Sequence, residues 1–207
     1  MANNPLDCVF PTDKGFSELI TSFQNTFPLR QLPEAVSYRT FYDTIDWLLY
    51  NNGSTLEMLE DAQSHRVYWR AGKKGQLRIQ LGINQVPQLA SELPACEFRE
   101  QLASVISVRE LMPRIRVKIK RIPLLILNKN EKVVVRIDLD ENWFYPDKTR
   151  AGSVLSKRVT IKPVKGYAEA CQQVEGFVQL MELRPAEDNL LKLALAESGS
   201  STVELTT

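Results

Sequence analysis

The sequence predicts an α+β protein in which antiparallel strands curl into a barrel or tunnel. Two observations favour this class: many short segments alternate polar and apolar residues, and only a few show helical periodicity. The order is strand, helix, four strands, helix, hairpin, strand, helix, which is not the regular β–α–β alternation of a parallel sheet. At 207 residues, with 43% hydrophobic and 25% charged residues, the chain has the composition of a globular domain.

Helices are expected over residues 13–27, 96–108 and 167–183, with a final helix over 186–197. In the first of these, Phe16, Leu19, Ile20, Phe23 and Phe27 form one apolar stripe at helical spacing. Strands are expected near residue 5 and over 35–44, 54–59, 65–71 and 75–82. A hairpin is expected over 114–127 and 132–140, and another strand over 157–164.

The segment RIRVKIKRI, residues 114–122, has the strongest alternation in the chain. In a strand, Arg114, Arg116, Lys118 and Lys120 share one face and the aliphatic residues between them share the other. Three interpretations stay open for these cations: a solvated face, a nucleic-acid strip or the wall of a phosphate site.

Neighbouring strands repeat this division between an aliphatic and a charged face. If the strands close with the helices outside, the charged faces line the interior, where unpaired charges are costly without an anionic ligand. Two carboxylates, Asp138 and Asp140, could there hold a hard cation such as Mg²⁺. The polar faces carry Arg39 and Asp43, Arg78, Arg136 with both of these aspartates, and Arg158, Thr160 and Lys162.

Charge and composition exclude several functions. The net charge of +1 disfavours a nucleic-acid surface, so no DNA partner is expected. A single histidine and three widely spaced cysteines leave little material for histidine-based catalysis, a zinc site or a disulfide framework. No long apolar run or leader pattern is visible, which predicts a cytoplasmic protein without a membrane segment.

Four stretches, in order, resemble the CYTH family, the triphosphate tunnel metalloenzymes. "FYDTIDWLLYNNGSTLEML" is similar to the family's Y-Y-D-T-x-D-x-x-L-x-x-x-G-x-x-L-R-x-R stretch, and "WRAGKKGQLRIQLG" stands where a turn and strand belong. "LMPRIRVKIKRIPLLIL" with "EKVVVRIDLDE" resembles the P-x-x-R-x-R hairpin and the acidic strand after it. "LRPAEDNLLKLALAESG" is similar to the segment leading into a CHAD domain, so the resemblance implies a CHAD domain as partner.

The resemblance implies an eight-stranded antiparallel tunnel that binds triphosphate. It implies phosphate ligands at Arg114, Arg116, Lys118 and Lys120, with Arg39 and Arg78 as further candidates. The charged faces add Arg136, Arg158 and Lys162. Mg²⁺ or Mn²⁺, needed only by a catalytic protein, would be held by Asp138, Asp140 and Asp7.

Several signature positions depart from the family pattern. "PLDCV" keeps only Asp7 of the first E-x-E-x-K signature, and Glu57 and Leu59 replace the arginines of L-R-x-R. "RVTIK" has Arg158 and Thr160 where the late signature has acids. Metal-assisted hydrolysis needs such carboxylates, so weak or absent hydrolysis is expected.

The sequence leaves three functions open. The first is binding of triphosphate or inorganic polyphosphate with little hydrolysis. The second is an active Mg²⁺-dependent triphosphatase, and the third is a structural or interaction domain neutralised by Arg–Asp pairs. Residues 1–184 are expected to form the CYTH-like domain, 185–198 a C-terminal helix and 199–207 a disordered tail.

Overall fold

The computed structural model describes residues 5–71, 77–145, 152–187 and 189–199. The chain divides into two compact units. The first unit comprises Met1–Val36, Ile119–Trp143 and Ser153–Asn189, and the second comprises Ser37–Lys118, Phe144–Gly152 and Leu190–Thr207.

Ten strands and five α-helices lie within the described ranges. The strands are β1 (Leu6–Phe10), β2 (Leu29–Gln31), β3 (Ala35–Asp43), β4 (Thr55–Glu60), β5 (His65–Ala71), β6 (Leu77–Leu81), β7 (Met112–Leu127), β8 (Val133–Phe144), β9 (Val154–Pro163) and β10 (Arg184–Pro185). The helices are α1 (Ser17–Thr26), α2 (Leu48–Asn51), α3 (Glu97–Ile106), α4 (Ala168–Leu180) and α5 (Leu190–Ser198).

The first unit has the strand order β10-β1-β9-β8-β7, and β2 also pairs with β7. Alternate residues of β8 and β9, such as Ile137, Leu139 and Val159, point to one face. There they join apolar residues of α1 and α4, including Phe23 and Val174, in one buried cluster. This face is the core side of the first unit, and the opposite side of the same strands carries charged residues.

The second unit has the strand order β7-β3-β4-β5-β6. Leu56 and Trp69 face each other across β4 and β5, and they pack with Leu102 and Ile106 of α3 in a second buried cluster. Because side chains alternate, the neighbouring residue Glu57 lies on the other side of the sheet.

A buried turn after β3 positions helix α2. Asp43, which is 3% exposed, accepts hydrogen bonds from the backbone N–H groups of Thr44, Leu49 and Tyr50 at 2.7 to 2.9 Å. Burial raises the pKa of Asp43, and the three backbone hydrogen bonds oppose that shift. This carboxylate therefore fixes the start of a helix that is only four residues long, while the buried Leu49 anchors the same helix in the second core cluster.

Strand β7 contributes residues to both units, and its buried positions change parity along its length. Ile115, Val117 and Ile119 are buried at odd positions, whereas Leu124 and Ile126 are buried at even positions. One strand therefore presents apolar side chains to opposite faces in its two halves.

The structure confirms the α+β class, the antiparallel pairing and the predicted long elements. It contains ten strands among the described residues instead of the eight expected. The two short strands β2 and β10 and the short helix α2 were missed because such segments carry too little periodicity to detect. The final helix begins at Leu190, four residues later than expected, and residues 200–207 of the expected tail lie outside the described ranges. No helix in the described part of the chain has the length and apolar character needed to cross a membrane.

Candidate anion-binding site

A face rich in paired charges lies opposite the core side of the first unit. We call it the charged face, and it is formed by β7, β8, β9, β1 and β10. Strand register places Asp7 beside Thr160 and Thr160 beside Asp138, and it places Asp140 beside Arg158. Its ionic residues are Asp7, Arg121, Arg136, Asp138, Asp140, Arg158, Lys162 and Arg184.

Arg121 binds both aspartates of β8. Its Nε and Nη2 donate to the two carboxylate oxygens of Asp140 at 2.6 and 2.7 Å, and its Nη1 lies 3.4 Å from Asp138. The hydrogen bonds to Asp140 raise the pKa of Arg121, against the opposing effect of burial. Lys162 of β9 also donates to Asp138. Both aspartates are therefore held by cations from neighbouring strands.

Asp7 has a similar environment on β1. Arg158 donates to one carboxylate oxygen at 2.8 Å, and the hydroxyl of Thr160 donates to the other at 3.1 Å. The two residues that replace acids of the family pattern, Arg158 and Thr160, are thus the ones that bind the acid that is retained.

The charged face has more cations than carboxylates. Among the residues that the structure describes, its five cations face three carboxylates, which gives these eight residues a net charge of about +2. Arg136 makes no ion pair within the described ranges and lies directly beside Lys162. Arg184 of β10 and Arg158 of β9 both lie opposite Val9, one on each side of β1. This surplus favours an anion as the ligand of the face.

The three carboxylates do not fit a Mg²⁺ or Mn²⁺ site in this arrangement. A divalent cation needs carboxylate oxygens that can turn toward it, and these oxygens already accept from Arg121, Lys162 and Arg158. Among the residues that the structure describes, no group of three or more His, Cys, Asp or Glu side chains could hold a metal ion.

The basic residues of β7 lie on another side of the sheet than predicted. Arg116 lies over the ring of Tyr38 at 4.5 Å and pairs with Glu60 at 3.3 Å. Tyr38 and Glu60 lie opposite each other on β3 and β4. On the same face of these two strands, Tyr42 and Met58 pack against the second core cluster. The alternation of RIRVKIKRI is confirmed, but the prediction that its cations lie opposite the helix side is wrong for Arg116.

The same correction applies to Lys120 in the first unit. Its ammonium lies 4.0 Å from Glu141 and 5.2 Å from the ring of Trp143. Glu141 in turn pairs with Lys157, which lies near Phe16 in the core cluster. Alternation shows that two faces differ, whereas packing decides which of them meets the helices. Arg114 lies over the ring of Trp47 at 4.4 Å. The phosphate-binding role predicted for Arg114 and Lys118 stays a prediction.

The second unit contains a separate arginine–carboxylate cluster. The carboxylate of Glu57, 2% exposed, lies 3.5 Å from Nη1 of Arg39 and 3.2 Å from Nε of Arg70. Each guanidinium contacts a different carboxylate oxygen. The backbone of Arg78 pairs with that of Arg70, but the side chain of Arg78 lies outside what the structure describes. Of the predicted ligands, Arg39 thus lies in this cluster.

Sequence reasoning missed Arg121, Arg70 and Arg184. A signal for Arg121 was present, because the adjacent pair Lys120 and Arg121 interrupts the alternation and must put one cation on each face. A signal for Arg70 was its spacing of two and four residues from Tyr68 and Arg66. Arg184 lies in a two-residue strand that no periodicity could reveal.

Strand pairing, core and charged face together define an antiparallel α+β fold with a polyionic surface on the sheet. No family model matches the sequence, and no curated protein matches it. Solved structures do match the fold over nearly the whole chain.

Three of these structures illustrate the likeness. A candidate adenylyl cyclase from Hippeastrum, described as having a dominant triphosphatase activity, has a TM-score of 0.58 at 13% identity, covering 97% of this chain and 98% of its own. A candidate adenylate cyclase from Bacillus halodurans has a TM-score of 0.56 at 12% identity, with coverages of 91% and 94%. A protein from Pyrococcus horikoshii OT3 has a TM-score of 0.51 at 14% identity, with coverages of 95% and 98%. Identities this low support a shared fold and carry no residue-level assignment.

Proposed function

We propose that this chain binds triphosphate or short inorganic polyphosphate on the charged face of the first unit, with weak or no hydrolysis. The fold likeness supports the substrate class, because one of the matching structures is described as a triphosphatase. The surplus of cations supports an anionic ligand. A cytoplasmic location and a CHAD partner accompany the proposal as predictions from the sequence.

One observation carries the proposal: within the described part of the chain, each carboxylate of the charged face is bound by a cation, and these cations outnumber the carboxylates. Asp138 and Asp140 are held by Arg121, and Asp7 is held by Arg158. The acids are therefore engaged in ion pairs instead of being available to a metal, while Arg136 and Arg184 add positive charge beside them.

A bound polyphosphate would compete with these aspartates for the same guanidinium and ammonium groups. Arg158 and Lys162 would each have to share donors between an aspartate and a phosphate oxygen. Binding would therefore weaken the ion pairs between these cations and the aspartates, and this cost offsets part of the attraction to phosphate. We expect a modest affinity for polyphosphate. Because the contacts are ionic and partly exposed, the affinity falls as salt concentration rises.

The same ion pairs favour a second candidate function. If the ion pairs with the aspartates leave too little positive charge to bind phosphate, the first unit is a structural or interaction domain without a phosphate ligand. The bidentate contact between Arg121 and Asp140 is the observation that favours it. An active metal-dependent triphosphatase receives no comparable support from the arrangement of the carboxylates.

A single titration distinguishes these functions. Tripolyphosphate and long-chain polyphosphate are added to the protein with and without Mg²⁺, at low and moderate salt, while binding and release of inorganic phosphate are followed. Binding with little phosphate release is the expected result. Release that a chelator abolishes would show an active triphosphatase, and absence of both binding and release at low salt would leave the structural role.

Two pairs of substitutions test which face binds the anion. Arg136→Gln with Lys162→Gln removes two cations of the charged face, and we expect at least a fivefold loss of tripolyphosphate affinity and a weaker salt dependence. Arg116→Ala with Lys118→Ala removes the same amount of charge from the part of β7 in the second unit, and less than a twofold change is expected. The opposite ranking would return the site to the basic strand that the sequence indicated.

A further inference from the structure

The two carboxylates of β8 lie deeper in the charged face than the cations around them. The side chains of Asp138 and Asp140 are 11% and 13% exposed. Those of Arg121 and Lys162 are 35% and 42% exposed, and Arg136 is exposed as well. A ligand that approaches from solvent therefore meets positive charge before it reaches a carboxylate of β8, and a divalent cation is repelled at this surface.

The carboxylate oxygens are also engaged by donors from neighbouring strands. Both oxygens of Asp140 accept hydrogen bonds from Arg121. The oxygens of Asp7 accept one hydrogen bond from Arg158 and one from the hydroxyl of Thr160. Mg²⁺ gives up its water ligands reluctantly and requires near-ideal octahedral geometry. To gain one of these aspartates as a ligand, it would have to displace a guanidinium group and then remain beside that positive charge.

Bound Mg²⁺ makes polyphosphate a poorer partner for such a surface. A Mg²⁺ ion on tripolyphosphate cancels two of its negative charges and occupies phosphate oxygens that could otherwise accept from arginine or lysine. In a site with accessible carboxylates, contacts between the metal and those carboxylates compensate for this loss. Among the residues that the structure describes, the carboxylates of the charged face are already bound by cations, so this compensation is missing.

We propose that the charged face selects polyphosphate that is free of divalent metal, so that Mg²⁺ opposes binding, and that Arg121 and Arg158 set this preference by engaging the aspartates. The preference rests on the proposed function and specifies the form of its ligand, which is the metal-free polyanion. Mg²⁺ in solution then acts as a competitor, because it withdraws the free ligand into a complex that the face binds less well.

Calorimetry of tripolyphosphate binding with and without Mg²⁺ measures this preference. The Mg²⁺ concentration is chosen to convert nearly all tripolyphosphate to its Mg²⁺ complex, and KCl keeps the ionic strength of the two solutions equal. Because equal ionic strength removes the general effect of screening, a remaining difference in affinity reflects the metal itself. We expect Mg²⁺ to weaken the apparent affinity of the native chain by about fivefold or more.

Arg121→Gln and Lys120→Gln form a matched pair, because they remove the same charge from adjacent positions of β7. Only Arg121→Gln releases Asp140, since Lys120 pairs with Glu141 on the other face. The readout is the ratio of the affinities without and with Mg²⁺ in each variant, so the general loss of a cation cancels. We expect this ratio to fall below about twofold in Arg121→Gln and to keep its native value in Lys120→Gln.

The outcomes separate this inference from the proposed function. Equal or tighter binding with Mg²⁺ in the native chain would overturn the preference and leave polyphosphate binding intact. Absence of tripolyphosphate binding in both solutions would overturn the proposed function, and the preference with it. Equal ratios in the two variants would overturn the role of the ion pairs. If Arg121→Gln does not fold, Arg158→Gln replaces it by releasing an oxygen of Asp7; the ratio should fall about twofold, and an unchanged ratio would overturn that role.

Discussion

Replacing Arg121 with glutamine tests whether the charged face is held together by its ion pairs. Arg121 makes two hydrogen bonds to Asp140 and a third ionic contact to Asp138. The side chains of these aspartates are only 13% and 11% exposed. The substitution Arg121→Gln would leave Asp140 without its cation and Asp138 with Lys162 alone.

The magnitude follows from the burial of the three groups. Breaking a fully buried ion pair by removing one partner costs about 3–5 kcal/mol. Arg121 is itself 35% exposed, so water and salt already screen part of the interaction. We therefore expect Arg121→Gln to lower the free energy of unfolding by about 2 kcal/mol.

Urea unfolding followed by circular dichroism measures this change, with the slope of the transition checked for constancy. Lys120→Gln is the control, because Lys120 is the adjacent cation on the other face and lies 4.0 Å from its partner Glu141. The control should cost less than about 1 kcal/mol. Equal losses in the two variants would refute the argument that the ion pairs of the charged face stabilise the first unit.

Three further outcomes are expected. Asp43→Ala removes the acceptor of three backbone N–H groups, two of them in buried hydrogen bonds, and should cost about 3 kcal/mol in urea unfolding; a loss under about 1 kcal/mol would show that α2 does not depend on this carboxylate. A thiol reagent at pH 8 should modify exposed Cys96 quickly and buried Cys8 and Cys171 only after unfolding, so three rapid reactions in the native protein would contradict the fold. Burial and the neighbouring Glu175 raise the pKa of Cys171 to about 11, from 9.0 in an unfolded chain. The unfolded state therefore loses this proton first, and stability should fall between pH 9 and 11; Cys171→Ala should flatten that fall, and an unchanged slope would contradict it.

The long elements were predictable because their periodicity is local. The alternation in β7, β8 and β9 and the apolar stripe of α1 appear in the sequence as they do in the structure. Which face of a strand meets the helices was not predictable for Arg116, since period two separates the faces without assigning them. The assignment depends on helices that are distant in sequence.

The ion pairs were harder to predict than the charges. Asp138, Asp140, Arg158 and Lys162 were predicted to share a polar face, and their cross-strand register confirms this. Arg121 binds both aspartates, but it lies in the part of β7 between Ile119 and Leu124, where the buried positions change from odd to even. The alternating pattern therefore does not predict its face. The sequence predicted Asp7, Asp138 and Asp140 as metal ligands. That role requires carboxylate oxygens that are not already bound by cations, and only the arrangement of the neighbouring cations shows whether they are.

The parity change in β7 has a consequence for how the chain can misfold. A slip of β7 by one residue against its partners would turn Ile115 and Val117 outward in one half and Leu124 and Ile126 outward in the other. Both halves lose their buried side chains in such a slip, whereas one residue inserted between the halves would turn over the side chains of one half only. The strand thus resists register error along its full 16 residues, and an insertion between Ile119 and Leu124 should be more damaging than one at either end.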